Sequence, residues 1–161
     1  MKTELRYSII HEIVLEHGEI NRAFKLKEYE KLKNKSEKFE KLYIKHIKKI
    51  IKLIEKEIGH NKWRYDFMPI YIVNLDLKNC YTKNKNKKYN WKGYGDPITI
   101  LIRHEKVMLF TLIHELVHNI LSLEEHVKLG LKRTERYIHY EVSQNVWDKL
   151  GLGNWRDHIK K

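Results

Sequence analysis

The chain has 161 residues, a net charge of +12 with histidine neutral, 34% charged residues and 42% hydrophobic ones. That length suits one compact domain with its own core and leaves no room for a second large one. A lone cysteine, Cys80, excludes an internal disulfide and suits a reducing compartment, and the scattered charges of MKTELRYSIIHEIVLEHGE lack the apolar run of a signal peptide. No stretch is long and apolar enough to span a membrane, so the expectation is a soluble, cytoplasmic protein.

Residues 2–16 read as a helix, with Ile9, Ile10, Ile13 and Val14 as its apolar stripe. Gly18 would end it and Asn21 would cap the next. Residues 22–58 are long, polar and periodic, with Phe39, Leu42, Ile47, Ile50, Ile51, Ile54 and Ile58 at helical spacing and Gly59 as terminator. The earlier part, residues 25–38, carries a thinner stripe of Leu26, Tyr29 and Leu32 and reads as a separate helix or an arm; its heptad is not sustained as a coiled coil requires.

Residues 67–77, FMPIYIVNLDL, alternate as a strand, with Pro69 near the start where a strand tolerates it. Residues 78–96 read as a loop or loose hairpin, residues 98–103 as a second strand, and residues 107–121 as a helix apolar nearly all round. Ser122 and Glu125 match a capping box for a short helix to Leu129, closed by Gly130. Thr134 is placed to cap a last helix over residues 135–150, ended by Gly151. The fold class is therefore α+β, in a single domain over residues 1–161 with a helical N-terminal extension over 1–38. The basic excess concentrates in residues 25–56 and 78–92; solvated faces are preferred there over a nucleic-acid surface.

Within the apolar helix lies His114-Glu115-Leu116-Val117-His118. Residues four apart share a helical face, so both imidazoles point the same way and are placed to hold one zinc ion. Glu115 would sit beside the metal's water as general base. Three polar side chains buried in such a helix need partners, and a metal supplies one. Two core histidines bonded to carbonyls are the bland alternative.

A catalytic zinc takes three protein ligands and leaves a position for water. The downstream candidates are Glu135, Glu141 and His126. Ile138, Val142 and Val146 make the apolar stripe of the last helix, and Glu135 lies on that stripe one turn earlier, which favours it. Glu141 falls more nearly with Tyr137, Gln144 and Asp148 on the polar side. His126 comes too late for the compact three-histidine signature. His139 is placed to orient a ligand or, with Tyr137, to help a transition-state oxyanion.

HELVH at residues 114–118 resembles the active-site helix of the zincin metallopeptidases, and TERYIHYEVSQNVW from Thr134 resembles the glutamate-bearing helix of the gluzincin branch. Over residues 47–150 the chain is similar to the minimal members, the minigluzincins. The resemblance implies a backing helix over residues 40–58, a small mixed sheet, the active-site helix and then the glutamate helix, with a catalytic core over 39–150. It implies zinc on His114, His118 and Glu135, Glu115 as base, and a peptide substrate laid along residues 98–103 as an added strand. The long basic stretch of residues 25–56 departs from a minimal scaffold and leaves the N-terminal part as a prosegment, a dimerisation arm or a partner-binding helix.

Two other readings stand beside it. Peptide deformylases share the motif and use a cysteine ligand, but Cys80 sits in KNCYTK without their glycine-rich context. A basic nucleic-acid- or partner-binding protein with a structural or vestigial metal site is the non-enzymatic alternative, with Tyr81, Tyr89, Trp91 and Tyr94 among lysines as stacking residues.

Overall fold

Alternation decides the first element. In the computed structural model, which describes residues 1–7, 26–73 and 98–159, Lys2–Tyr7 is a strand, β1. It pairs in parallel with β2 (Phe67–Val73), which pairs in parallel with β3 (Ile98–Leu101), in the order β1-β2-β3. This corrects the helical reading of the first residues. Thr3, Leu5 and Tyr7 are half-buried while Lys2, Glu4 and Arg6 are exposed, a two-residue period that only a strand satisfies. The stripe at Ile9, Ile10, Ile13 and Val14, the caps at Gly18 and Asn21, and the loop carrying Cys80, Tyr81, Tyr89, Trp91 and Tyr94 lie outside the described residues. A mixed sheet was also expected; among the described residues all pairing is parallel.

The register lines apolar side chains into rows across the sheet, Leu5–Ile70–Ile98 and Tyr7–Ile72–Ile100. Ile70, Ile72, Ile98 and Ile100 are buried. Against this face packs α1 (Leu26–Ile58), a single helix of 33 residues where two segments had stayed open. Its buried positions, Ser36, Phe39, Tyr43, His46, Ile50 and Ile54, recur at spacings of three and four and so line one face. Two polar contacts tie β1 to it: Thr3 Oγ1 and Tyr43 Oη share a hydrogen bond at 2.8 Å, and Tyr7 Oη donates to Glu40 Oε2 at 3.0 Å. Gly59, at φ 86°, ends the helix.

The apolar helix of the sequence is α2 (Glu105–Ile120), with ten buried residues reaching most of the way around it. After it, Ser122 and Glu125 form the expected capping box. The Ser122 N–H donates to Glu125 Oε2 at 2.6 Å, and the Glu125 N–H donates to Ser122 Oγ at 3.2 Å. The box opens α3 (Leu123–Leu129).

The last helix starts earlier than expected. Gly130, at φ 72°, is its N-cap, and the helix runs through α4 (Leu131–Arg136), a π segment (Tyr137–Ser143) and α5 (Gln144–Leu150). Thr134 is therefore not the cap. It is buried inside the first turns and its hydroxyl donates to the Gly130 carbonyl at 2.8 Å. The π segment has a cause in the sequence. Thr134, Ile138, Val142, Val146 and Leu150 are all buried at intervals of four, and a strict α-helix would carry that series off one face by about 40° per step. Wider π winding over Tyr137–Ser143 removes much of the drift. A 3-10 turn, Trp155–His158, closes the described chain. Among the described residues no helix is long and apolar enough to cross a membrane.

Candidate metal centre

Three side chains from two helices converge on one point. His114 and His118 lie one turn apart on α2, and two short turns return the chain so that α4 passes the same place with Glu135. The first turn leaves α2 at Leu121, whose backbone is extended (φ −70°, ψ 129°). The second is at Gly130, where a positive φ reverses the chain between α3 and α4. Arg64 braces the first of these: its backbone N–H donates to the Asn119 carbonyl at 3.1 Å and its guanidinium to the Leu121 carbonyl at 3.3 Å. Asn119 donates its side-chain amide to the Glu115 carbonyl at 2.9 Å, fixing the last turn of the motif.

The facing atoms are His114 Nε2 and His118 Nε2, 3.1 Å apart, with their rings nearly perpendicular at 88°. Glu135 Oε1 lies 3.4 Å from His118 Nε2, and Glu135 Oε2 lies 3.8 Å from His114 Nε2. Four ligands at about 2 Å around a tetrahedral zinc stand about 3.3 Å from one another. The observed triangle is close to that edge length, and its two nitrogens and one carboxylate form a donor set that zinc accepts. The residues present therefore fit the ion. His114 is the most enclosed of the three and Glu135, at 56% side-chain exposure, the most open, so the cluster is backed by the core and open on the glutamate side.

Glu115 is mostly buried, and its carboxyl is pushed up to about 6, first by burial and then by the negative charge of Glu135. That second cause places the two carboxylates in electrostatic contact.

The other sequence candidates fall elsewhere. Glu141 is exposed and lines a cavity of ≈ 410 Å³ with Leu129, Arg133, Arg136 and Tyr137. Tyr137 lies two positions after Glu135, which puts it on the opposite side of the helix, beside that cavity. Burial raises the Tyr137 phenol, with the charges of Glu141, Glu125 and Glu57 adding to it. The backbone of His126 lies in α3 and that of His139 in the π segment, while their side chains lie outside what the structure describes. Arg64 and Asn119 carried no motif signal; only an unusual buried asparagine one turn past Glu115 marked the second. No known protein family, curated protein or solved structure matches the chain.

Proposed function

We propose that this chain is a zinc-dependent metallopeptidase of the zincin type, nearest the gluzincin branch, with His114, His118 and Glu135 as metal ligands and Glu115 as general base. The supporting observation is the triangle of His114 Nε2, His118 Nε2 and Glu135 carboxylate oxygens, with Glu135 brought in from 17 residues beyond His118. What zinc supplies at such a site is Lewis acidity, which polarises a peptide carbonyl and brings the pKa of water to about 7.

The chain's own residues do the rest. Glu115 takes a proton during attack and hands it to the departing amine. Its apolar surroundings favour the protonated carboxyl, so the acid form is within reach near neutral pH. Asn119 and Arg64 hold the turn that aims Glu115 and His118. His139, four residues after Glu135, is proposed to steady the developing oxyanion. Among the described residues β3 is an edge strand, and an extended peptide is proposed to lie along it.

The test is elemental analysis of purified protein with peptide-hydrolysis assays. One zinc per chain that disappears in His118→Ala, with peptide cleavage that disappears in Glu115→Gln while zinc is kept, is the expected pattern. Zinc-free protein that cannot be loaded, or cleavage unchanged in Glu115→Gln, would overturn it.

A further inference from the structure

On α1 the charge is sorted as sharply as the apolar residues. The buried face is formed by Phe39, Tyr43, His46, Ile50 and Ile54. Directly opposite, Lys38, Lys41, Lys45, Lys48, Lys52 and Lys56 recur at spacings of three and four residues, and all six are exposed. At 1.5 Å per residue this row is about 27 Å long, roughly eight steps of one nucleic-acid strand at 3.4 Å each.

The acidic residues of the same stretch do not dilute the row. Between Lys38 and Lys56 there are two, Glu40 and Glu55. Glu40 accepts from Tyr7 Oη at 3.0 Å and Glu55 accepts from Trp63 Nε1 at 2.7 Å, each turned to a neighbouring element. Lys41 pairs with Glu37 at 2.7 Å in an exposed bridge of the kind that contributes little to stability. The other five lysines have no carboxylate within ion-pair distance among the described residues. Five like charges in one row, none of them in a salt bridge among the described residues, repel one another along the helix, and a polyanion relieves that repulsion.

From this row we infer that α1 is a docking surface for the phosphate backbone of nucleic acid, read by charge and not by sequence. The geometry selects it over a lipid surface. Helices that lie in a membrane bury an apolar face there, and the apolar face of α1 is already in the core. Of large apolar side chains beside the row, Ile44 stands exposed at 67%. The row is built of lysines, compact charges on flexible stems that lack the planar forks with which Arg, Asn and Gln read base edges, so the contact is assigned to phosphates. The inference does not rest on the metal centre.

The experiment is fluorescence anisotropy of the full chain with a labelled 20-base-pair DNA duplex and with a 20-nucleotide single strand, from 50 to 300 mM salt, alongside flotation with vesicles containing phosphatidylserine. Six phosphate contacts give a log–log salt slope of about −5 on duplex and about −4 on a single strand. Replacing Lys41, Lys45, Lys48 and Lys52 by Gln is expected to flatten the duplex slope by about 3 to 4 and to weaken binding at least about 30-fold at low salt. Replacing Lys62, Arg103, Lys128 and Arg133 by Gln removes the same charge from other surfaces and is expected to cost less than a third of that flattening. Both quadruple variants carry only exposed substitutions, and a thermal melt checks that they fold. Equal losses in the two variants would reduce the effect to diffuse net charge and overturn the inference. So would absence of nucleic-acid binding at 50 mM salt, or vesicle binding without nucleic-acid binding. Chelating metal beforehand should leave the binding unchanged, which separates this result from the fate of the peptidase reading.

Discussion

The two halves of α2 share a helix and a depth of burial but use their polar groups differently. At the start, polar groups finish local structure. The His104 ring accepts from the Lys106 N–H at 3.3 Å and stacks on His158 at 3.8 Å, and Lys106 Nζ donates to the Leu152 carbonyl at 2.7 Å. Phe110 is stacked on Trp155 at 3.8 Å and meets Trp147 edge-on at 5.9 Å. In the second half His114, Glu115 and His118 gather with Glu135, and the two ring nitrogens and the Glu135 carboxylate face one another. A helix selected only for packing would fill those positions with leucine, because polar groups cost free energy to bury. The first half is built for stability, and the second gathers ionisable side chains at a cost to it, as the proposed metal centre would require.

The contrast predicts opposite kinds of damage. Phe110→Ala removes a ring enclosed by two tryptophans and is expected to cost about 3–5 kcal/mol in denaturant unfolding. Zinc per folded molecule should not change. His118→Ala should leave the metal-free protein close to wild-type stability. Zinc at a thousand times its dissociation constant is expected to add about 4 kcal/mol to the wild type and nothing to this variant, measured as a metal-dependent shift in melting temperature. If Phe110→Ala lost metal stoichiometrically, or His118→Ala still gained stability from zinc, the two halves would not be separable in this way.

How far this was legible beforehand follows from the same residues. Helical spacing of Phe39, Ile50 and Ile54 showed the face of α1, and the four-residue gap between His114 and His118 showed that their rings share a side. The choice of Glu135 over Glu141 came from its place on the apolar stripe, and the structure brings Glu135 and not Glu141 to the pair. The stripe argument worked only in part. Thr134 and Ile138 are the buried positions, and Glu135 reaches the histidines from the flank. At residues 2–7 an alternating hexapeptide runs directly into the strong stripe at Ile9 to Val14, and the stripe masks the alternation. Whether such a segment becomes a strand depends on β2 lying beside it, a partner 65 residues away that no local pattern reveals. The π segment shows in the sequence as an apolar interval of four at Ile138, Val142 and Val146, a spacing that an ordinary helix also carries over so short a run.

A finer test of the contrast is Glu115→Gln in metal-free protein. The sign follows from the direction of the shift. The carboxyl is at about 6 in the folded chain against an ordinary 4.5, so folding favours its protonated form. Its favourable contribution is complete below about pH 4.5 and is lost as pH rises through about 6. Above that, ionised Glu115 costs up to about 2 kcal/mol relative to a neutral group of the same shape. Glu115→Gln is therefore expected to be more stable than wild type at pH 7.5 and indistinguishable from it at pH 4. A variant less stable at pH 7.5 would mean that the buried carboxylate is held by a partner and that the second half of α2 gives up no stability.

The smallest effect is expected at Thr134, where the turn that returns Glu135 is held. Valine keeps the volume and loses the hydroxyl that donates to the Gly130 carbonyl. That carbonyl still accepts from the Thr134 N–H at 2.9 Å, so no backbone acceptor is stranded and Thr134→Val should cost no more than about 1 kcal/mol. Its consequence for zinc is the sharper readout. Gly130 sets the direction of α4, and with it the position from which Glu135 reaches the two rings. If the hydroxyl bond positions α4, zinc affinity measured by competition with a chelator should fall several-fold while stability barely moves. Equal small losses in both would make Thr134 ordinary packing, and the aim of Glu135 would then rest on the π-wound segment that follows it.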